Sequence, residues 1–205
     1  MEADAIWPHS IFKRALDILG SLFLLILLWP VMLVLALGVF LSVGRPLFFR
    51  QKRPGKKGLP FLLVKFRTLR GSEADTETPG GKIPPTPFAK GLRASGLDEV
   101  PELWNILKGD MSFVGPRPLL MRYLDRYTDE QNRRHNIRPG LTGLAQVKGR
   151  NAIDWEARLD WDVSYVEKAT FKTDSMILWQ TLSLLGRGEG TGEPGEFRGT
   201  ADENR

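Results

Sequence analysis

Four short blocks gather the chemically capable side chains of this chain: Lys65-Phe-Arg67-Thr68; Leu92-Arg93 leading to Leu97-Asp98-Glu99-Val-Pro101; Gly109-Asp110-Met-Ser112-Phe-Val-Gly115-Pro116-Arg117-Pro118; and Arg138-Pro139-Gly140-Leu-Thr142-Gly143. Asp98 and Glu99 are adjacent carboxylates among many Arg and Lys residues. That combination suits holding Mg2+ against a phosphate, because magnesium takes one or two carboxylates and leaves much of its shell to phosphate oxygens and water. A plainer reading stands beside it. Asp98 precedes an apolar helical pattern, where an aspartate caps free N–H groups and Pro101 is tolerated in the first turn. Ser95 is a rival cap, which leaves the carboxylate pair free for other work. Arg117 lies between two prolines. Its backbone therefore has little freedom, as a bidentate phosphate clamp requires, although the same run also reads as a rigid turn orienting two helices. Other chemistries are poorly supplied: there is no cysteine for a disulfide or thiolate metal site, and the only histidines are His9 and His135.

Blocks of this length in this order resemble the bacterial sugar transferase family, the monotopic phosphoglycosyl transferases of the PglC type, from the N-terminal apolar segment to about Leu185. The resemblance implies a catalytic dyad of Asp98 and Glu99, with Asp98 the nucleophile and both residues working with Mg2+. Lys65, Arg93 and Arg117 match basic positions around the phosphates, and Arg67 belongs to the same block as Lys65. The block carrying Arg138, Gly140 and Thr142 is similar to the nucleotide-side loop, and Asp174 resembles an acidic position late in the fold. One departure is visible: where relatives often carry Ser-Pro at the membrane turn, this chain has Trp29-Pro30. The implied reaction moves a sugar phosphate from a UDP-sugar, an N-acetylated or amino-modified hexose, to polyprenol (undecaprenyl) phosphate and releases UMP. That is the first membrane step of glycoconjugate synthesis, at the cytoplasmic face of the bacterial inner membrane. No histidine is needed, since both incoming nucleophiles are already anions. A homodimer is left open.

The elements that must position these residues begin with the membrane. Between Asp17 and Arg45 no residue is charged, and Pro30 lies near the midpoint. An unbroken helix here would reach roughly 40 Å, ample for a ~30 Å hydrocarbon core, but each half alone would not cross it. Proline removes a donor and clashes with the preceding turn, so the expectation is two half-helices meeting at Trp29-Pro30. Lys13 and Arg14 precede the segment while Arg45, Arg50, Lys52 and Arg53 follow it. Basic flanks on both sides favour a re-entrant hairpin with both ends in the cytoplasm over a kinked through-going span. The run is too long for a cleaved signal peptide. Trp7 is an interfacial anchor ahead of it. From Arg45 to Arg70 there are nine Lys/Arg and no Asp/Glu, a stretch suited to anionic headgroups or phosphates.

Beyond the anchor, Pro46 to Phe49 and Phe61 to Phe66 around a Pro54-Gly55-Gly58 turn read as a β-hairpin. Residues 71–81 are acidic and poor in apolar side chains, hence a mobile loop serving as a lid or a tolerated insertion. Helices are expected over Glu99–Leu107, Leu119–Tyr127, Trp155–Lys168 and Asp174–Leu185, with a loop and a short strand within Arg138–Gly149. The Gly-rich tail is expected to be disordered. The fold class is therefore α+β and mainly helical: a re-entrant membrane hairpin over 1–44, a cytoplasmic catalytic domain over 45–185 and a tail over 186–205.

Two rivals are weighed against this reading. Asp160-Trp161-Asp162 is formally the D-x-D of nucleotide-sugar glycosyltransferases, but on a helix the two aspartates diverge. A membrane-anchored, lipid-binding scaffold explains the basic stretch and leaves the carboxylate pair and Arg117 without work. Nucleic acid is not an expected partner, since the tryptophans lie mainly in the membrane segment and on apolar helical faces.

Overall fold

In the computed structural model the described residues are 5–69, 85–149 and 153–185, with positions 197 and 199. Ser10 opens the longest element: its hydroxyl accepts from Lys13 N and caps helix α1, Ile11–Ser42. This helix runs through Pro30 without interruption. The two half-helices expected at Trp29-Pro30 are thus one helix, because proline deletes a single backbone donor and the flanking hydrogen bonds carry the ladder across it. Length and composition make α1 fit to cross a membrane; its most apolar stretch has a mean hydropathy of 2.8.

One face of α1 is packed along its whole length. Near its start Lys13, Asp17 and Ser21 are buried. In the middle Leu24, Leu25 and Leu28 meet Leu63, Leu103, Ile106 and Met111, and further on Met32, Leu35, Ala36 and Val39 meet Phe66 and Leu92. Gly38 lets the Phe88 ring sit where a Cβ would be. The opposite face, with Phe23, Ile26, Leu33, Val34, Leu37 and Leu41, is exposed.

The expected hairpin is present as β1 (Phe48–Pro54) and β2 (Pro60–Phe66), antiparallel, with Phe48 opposite Phe66 and Pro54 opposite Pro60. After α2 (Pro87–Ala94), Gly96 takes a φ of 72° and starts a 3-10 turn over Leu97–Glu102. Helix α3 (Leu103–Lys108) follows and ends at Gly109, φ 98°. The single helix expected from Glu99 is therefore a tight turn and then a helix, since Pro101 cannot donate and its ring crowds the preceding turn. Gly96, and not Asp98 or Ser95, holds the capping position.

Two strands of three residues, β3 (Ser112–Val114) and β4 (Gly140–Thr142), pair in parallel. They approach closely only because Gly115 and Gly140 lack side chains; a Cβ on Gly140 would collide with Gly115 N. A 3-10 turn replaces the helix expected around Leu119–Tyr127. It is followed by α4 (Asp129–Asn132), closed by a Thr128/Gln131 capping box, and a 3-10 turn over Arg133–Asn136. Helix α5 (Leu144–Gly149) lies where a loop was expected. Helix α6 (Trp155–Lys168) has the expected bounds, and α7 (Phe171–Leu185) starts three residues before Asp174. Val114, Ile137, Tyr165, Val166 and Ile177 form the core between them. The loop at 71–81 lies outside the described residues, as does the tail apart from two positions. One of these, Phe197, is buried, against the expectation of disorder at that point.

Candidate active site

The turn that Gly96 opens carries Asp98 and Glu99 at its start and Glu102 one turn later. Asp98 and Glu102 are buried. Beside them lies β2, held to α3 by Asn105, whose side-chain oxygen accepts from Val64 N at 3.1 Å while its amide donates to Leu62 O at 2.8 Å. That places Lys65, the next residue, within electrostatic reach of the turn. Arg93 enters from the last turn of α2. Behind, Arg14 of α1 donates to the carbonyls of Ile106 (2.7 Å) and Leu107 (2.9 Å) and so caps the end of α3.

Arg117 completes the group. Its guanidinium meets Glu99 at 2.5 Å and 3.5 Å. Prolines leave this segment short of N–H groups, so its carbonyls must fix it, and three in succession are used. Pro116 O accepts from Gly140 N at 3.0 Å, Arg117 O from Arg134 Nη2 at 2.7 Å, and Pro118 O from Arg53 Nη1 at 3.2 Å. The clamp is thus held from its backbone outward, by two buried guanidiniums and a glycine of the 138–143 block.

Burial and charge pull the three carboxyls apart. Asp98 is raised above the ordinary aspartate range by burial; Glu99 adds to this, while Lys65, Arg93 and Arg117 pull it back. Burial also acts to raise Glu99, but the Arg117 charge and hydrogen bond, with Lys65 and Arg53, outweigh it and hold Glu99 low. Glu102 is pushed up to about 8 by burial and the charge of Glu99, so it carries a proton at neutral pH. Sequence reasoning missed Glu102, Arg53 and Arg134. The available signal for Glu102 was an acid four residues after Asp98 in an otherwise apolar run. The two arginines gave none, because their partners are remote carbonyls.

The other expected site residues lie elsewhere. Arg67 donates to the carbonyls of Leu69 (2.9 Å) and Arg45 (2.7 Å), tying β2 to the end of α1. Thr142 is buried with its hydroxyl 2.7 Å from that of Thr181. Arg138 donates to Gly109 O at 2.9 Å and lines a small cavity with Lys13, Arg14, Asp17 and Ser112. Asp174 belongs to a buried staple. Lys13 Nζ lies 3.1 Å from Asp17 and 3.0 Å from Asp174, Trp7 Nε1 and Tyr165 OH donate to Asp174 at 3.0 and 2.6 Å, and Ser112 Oγ and Phe113 N donate to Asp17. Trp29 is half exposed on α1. Of the D-x-D pair, Asp162 is buried against Arg134 at 2.7 Å while Asp160 is exposed, so the two do not converge.

Among the described residues no group of three or more His, Cys, Asp or Glu is arranged to hold a metal. Asp98 and Glu99 nonetheless supply hard oxygen donors in the number magnesium usually takes from protein when phosphates complete its shell. The donor set fits Mg2+ bound together with a diphosphate.

Residues 8–188 match the family model described as bacterial sugar transferase. The chain is 45% identical over 184 residues to the uncharacterized sugar transferase EpsL of Bacillus subtilis, covering 88% of this chain and 90% of that protein. It is 36% identical to a UDP-glucose:undecaprenyl-phosphate glucose-1-phosphate transferase of Klebsiella pneumoniae, covering 85% of this chain but 40% of that protein. The protein of the same name from Caulobacter vibrioides is also 36% identical, with 84% of this chain and 69% of that one covered. The chain thus spans nearly all of one relative and about two fifths of another.

Proposed function

This chain belongs to the bacterial sugar transferase family, and from that premise we propose that it moves a sugar 1-phosphate from a UDP-sugar to polyprenol (undecaprenyl) phosphate, giving a polyprenyl-diphosphate sugar and UMP. The observation that carries the reading is Asp98: a buried carboxyl, beside a second one, within electrostatic reach of Lys65, Arg93 and the backbone-pinned Arg117.

Asp98 acts as the nucleophile. A carboxylate oxygen attacks the sugar-linked β-phosphorus, the bond from that phosphorus to the UMP oxygen breaks, and UMP leaves with the electron pair. An oxygen of the lipid phosphate then attacks the phosphorus of the acyl phosphate, and the bond to Asp98 breaks to restore the carboxylate. Lys65, Arg93 and Arg117 offset the repulsion between anionic nucleophile and anionic diphosphate. Mg2+, held by Asp98 and Glu99 with the diphosphate, would add positive charge at the phosphate oxygens. The pairing with Arg117 keeps Glu99 ionised beside Asp98, and Glu102, protonated, adds no negative charge to the pocket.

Both ends of α1 lie on one side of the membrane in this reading, at the cytoplasmic face. Its support is that α1 packs against the domain at Lys13 and Asp17 and again at Val39, whereas a through-going span would leave one end without the domain. Leu92 and Phe66, which touch α1, each neighbour a cation of the site, so a lipid phosphate and a soluble nucleotide can meet there.

Incubation with UDP-sugar and Mg2+ but no lipid acceptor should release about one UMP per enzyme, the stoichiometry of a covalent intermediate. Turnover without that burst would refute the aspartyl intermediate. No UMP from any UDP-sugar, with or without acceptor, would favour a lipid-binding scaffold.

A further inference from the structure

Phe197 is the only large apolar residue in a tail otherwise made of glycine, charged and small polar residues, one proline and one alanine. It is nevertheless 2% exposed. Its ring lies 5.5 Å from Tyr123, 5.6 Å from Tyr127 and 5.2 Å from Trp155, and it packs with Leu119 and Leu159. The backbone is held as well: Phe197 N donates to Tyr123 OH at 3.4 Å, and Phe197 O accepts from Arg126. Ring and peptide groups are all engaged, which is how a peptide anchor sits in a pocket built for it.

The walls of that pocket reach the clamp by two short routes. Leu119, fully buried, stands two residues after Arg117. Tyr127, stacked on Phe197 at 29°, accepts from Arg134 Nη1 at 3.4 Å and lies under the same guanidinium. Arg134 in turn holds Arg117 O at 2.7 Å, and Arg117 pairs with Glu99. We propose that Phe197 is a positioning residue: seated in the Tyr123/Tyr127/Trp155 box, the tail props the segment that carries Arg117 and thereby sets the site's grip on the diphosphate of its substrate. This rests on the reading of Arg117 as a phosphate clamp. Emptying the box leaves an unfilled hole behind Leu119 and frees the Tyr127 ring, so the Arg117 backbone loses rigidity while Asp98, on another element, stays where it is.

The test uses the full chain. Phe197→Ala should raise KM for the UDP-sugar and Kd for UDP, measured by calorimetry, by about fivefold, with the rate of the UMP burst at saturation changed less than about twofold. Phe197→Leu, which refills most of the box, should recover most of the loss. A synthetic peptide of residues 190–205 added to Phe197→Ala should restore UDP affinity, and the same peptide with alanine at 197 should not. Unchanged UDP affinity in a folded Phe197→Ala chain, or equal effects of both peptides, would overturn the prop. If Phe197→Ala does not fold, Tyr127→Phe decides, because it removes the bond from Arg134 to the wall of the box: UDP affinity equal to the parent in that variant would overturn the prop. Failure of the parent chain to release UMP would count against the functional reading alone, since UDP affinity and peptide rescue do not depend on turnover.

Discussion

Around Lys13, two buried carboxylates share one ammonium, and Trp7, Tyr165, Ser112 and a backbone N–H donate to their oxygens. Around Asp98, three carboxyls crowd one short turn, Glu99 takes the guanidinium of Arg117, and the others are raised above their ordinary range. Both clusters are buried and both join distant parts of the chain. The first resolves its charges internally and clips the start of α1 to β3 and α7, so it is a fastening. The second leaves unequal carboxyls within reach of several cations, an arrangement suited to the polyanionic ligand proposed for it. Neighbouring acids pushed in opposite directions mark a place where protonation states have been assigned to different tasks.

The sharpest way to break this contrast is Asp98→Asn. It should abolish the UMP burst, at least about 10^3-fold, with thermal stability kept, because a neutral amide replaces a carboxyl that burial disfavours as an ion. Retention of a normal burst would remove the nucleophile. Next comes Lys13→Met, which leaves Asp17 and Asp174 buried without their shared cation and should lower stability by about 3–5 kcal/mol in denaturation of the detergent-solubilised protein. Arg117→Met should unfold far less readily while losing UMP release; equal destabilisation of the two variants would erase the distinction between fastening and site.

Glu102→Gln sharpens the comparison through pH. Glu102 is raised from 4.5 to about 8, so the folded chain keeps a proton that the unfolded chain gives up above 4.5. Its contribution is complete below pH 4.5, erodes as pH rises and is gone above about 8. Glutamine is neutral throughout, so relative to the variant the parent should lose stability between pH 6 and 8 by roughly 2 kcal/mol in melting curves of metal-free protein. A parallel pair of curves would refute the protonated assignment. The smallest effect is expected from Tyr165→Phe, which removes one donor from Asp174 while Lys13 and Trp7 remain and should cost about 1.5 kcal/mol without changing the UMP burst.

Much of the frame was legible. The β1–β2 hairpin follows from two apolar runs around a Gly/Pro turn, and α6 from its three- and four-residue apolar spacing. Asp98, Glu99 and Arg117 stood out by type and placement, Lys65 and Arg93 through the family resemblance, and their charges act on one another. Helix α5 was hidden because glycines bound it, and β3 because three residues show no period, whereas the short strand expected within Arg138–Gly149 is β4. Trp29-Pro30 misled through local propensity, since a long packed helix absorbs one missing bond. Asp174 and Arg138 both entered as matches to family positions, yet one meets Lys13 and the other Gly109.

The order of residues determined the β1–β2 hairpin and the span of α6, which segment avoids water and which charges stand side by side, because those depend on neighbours within a few positions. Only the folded chain decided which carboxyl keeps its proton, which arginines hold carbonyls and that a lone phenylalanine near the end of the tail is buried. Burial and distant pairing set those outcomes, and both arise from contacts between residues far apart in sequence.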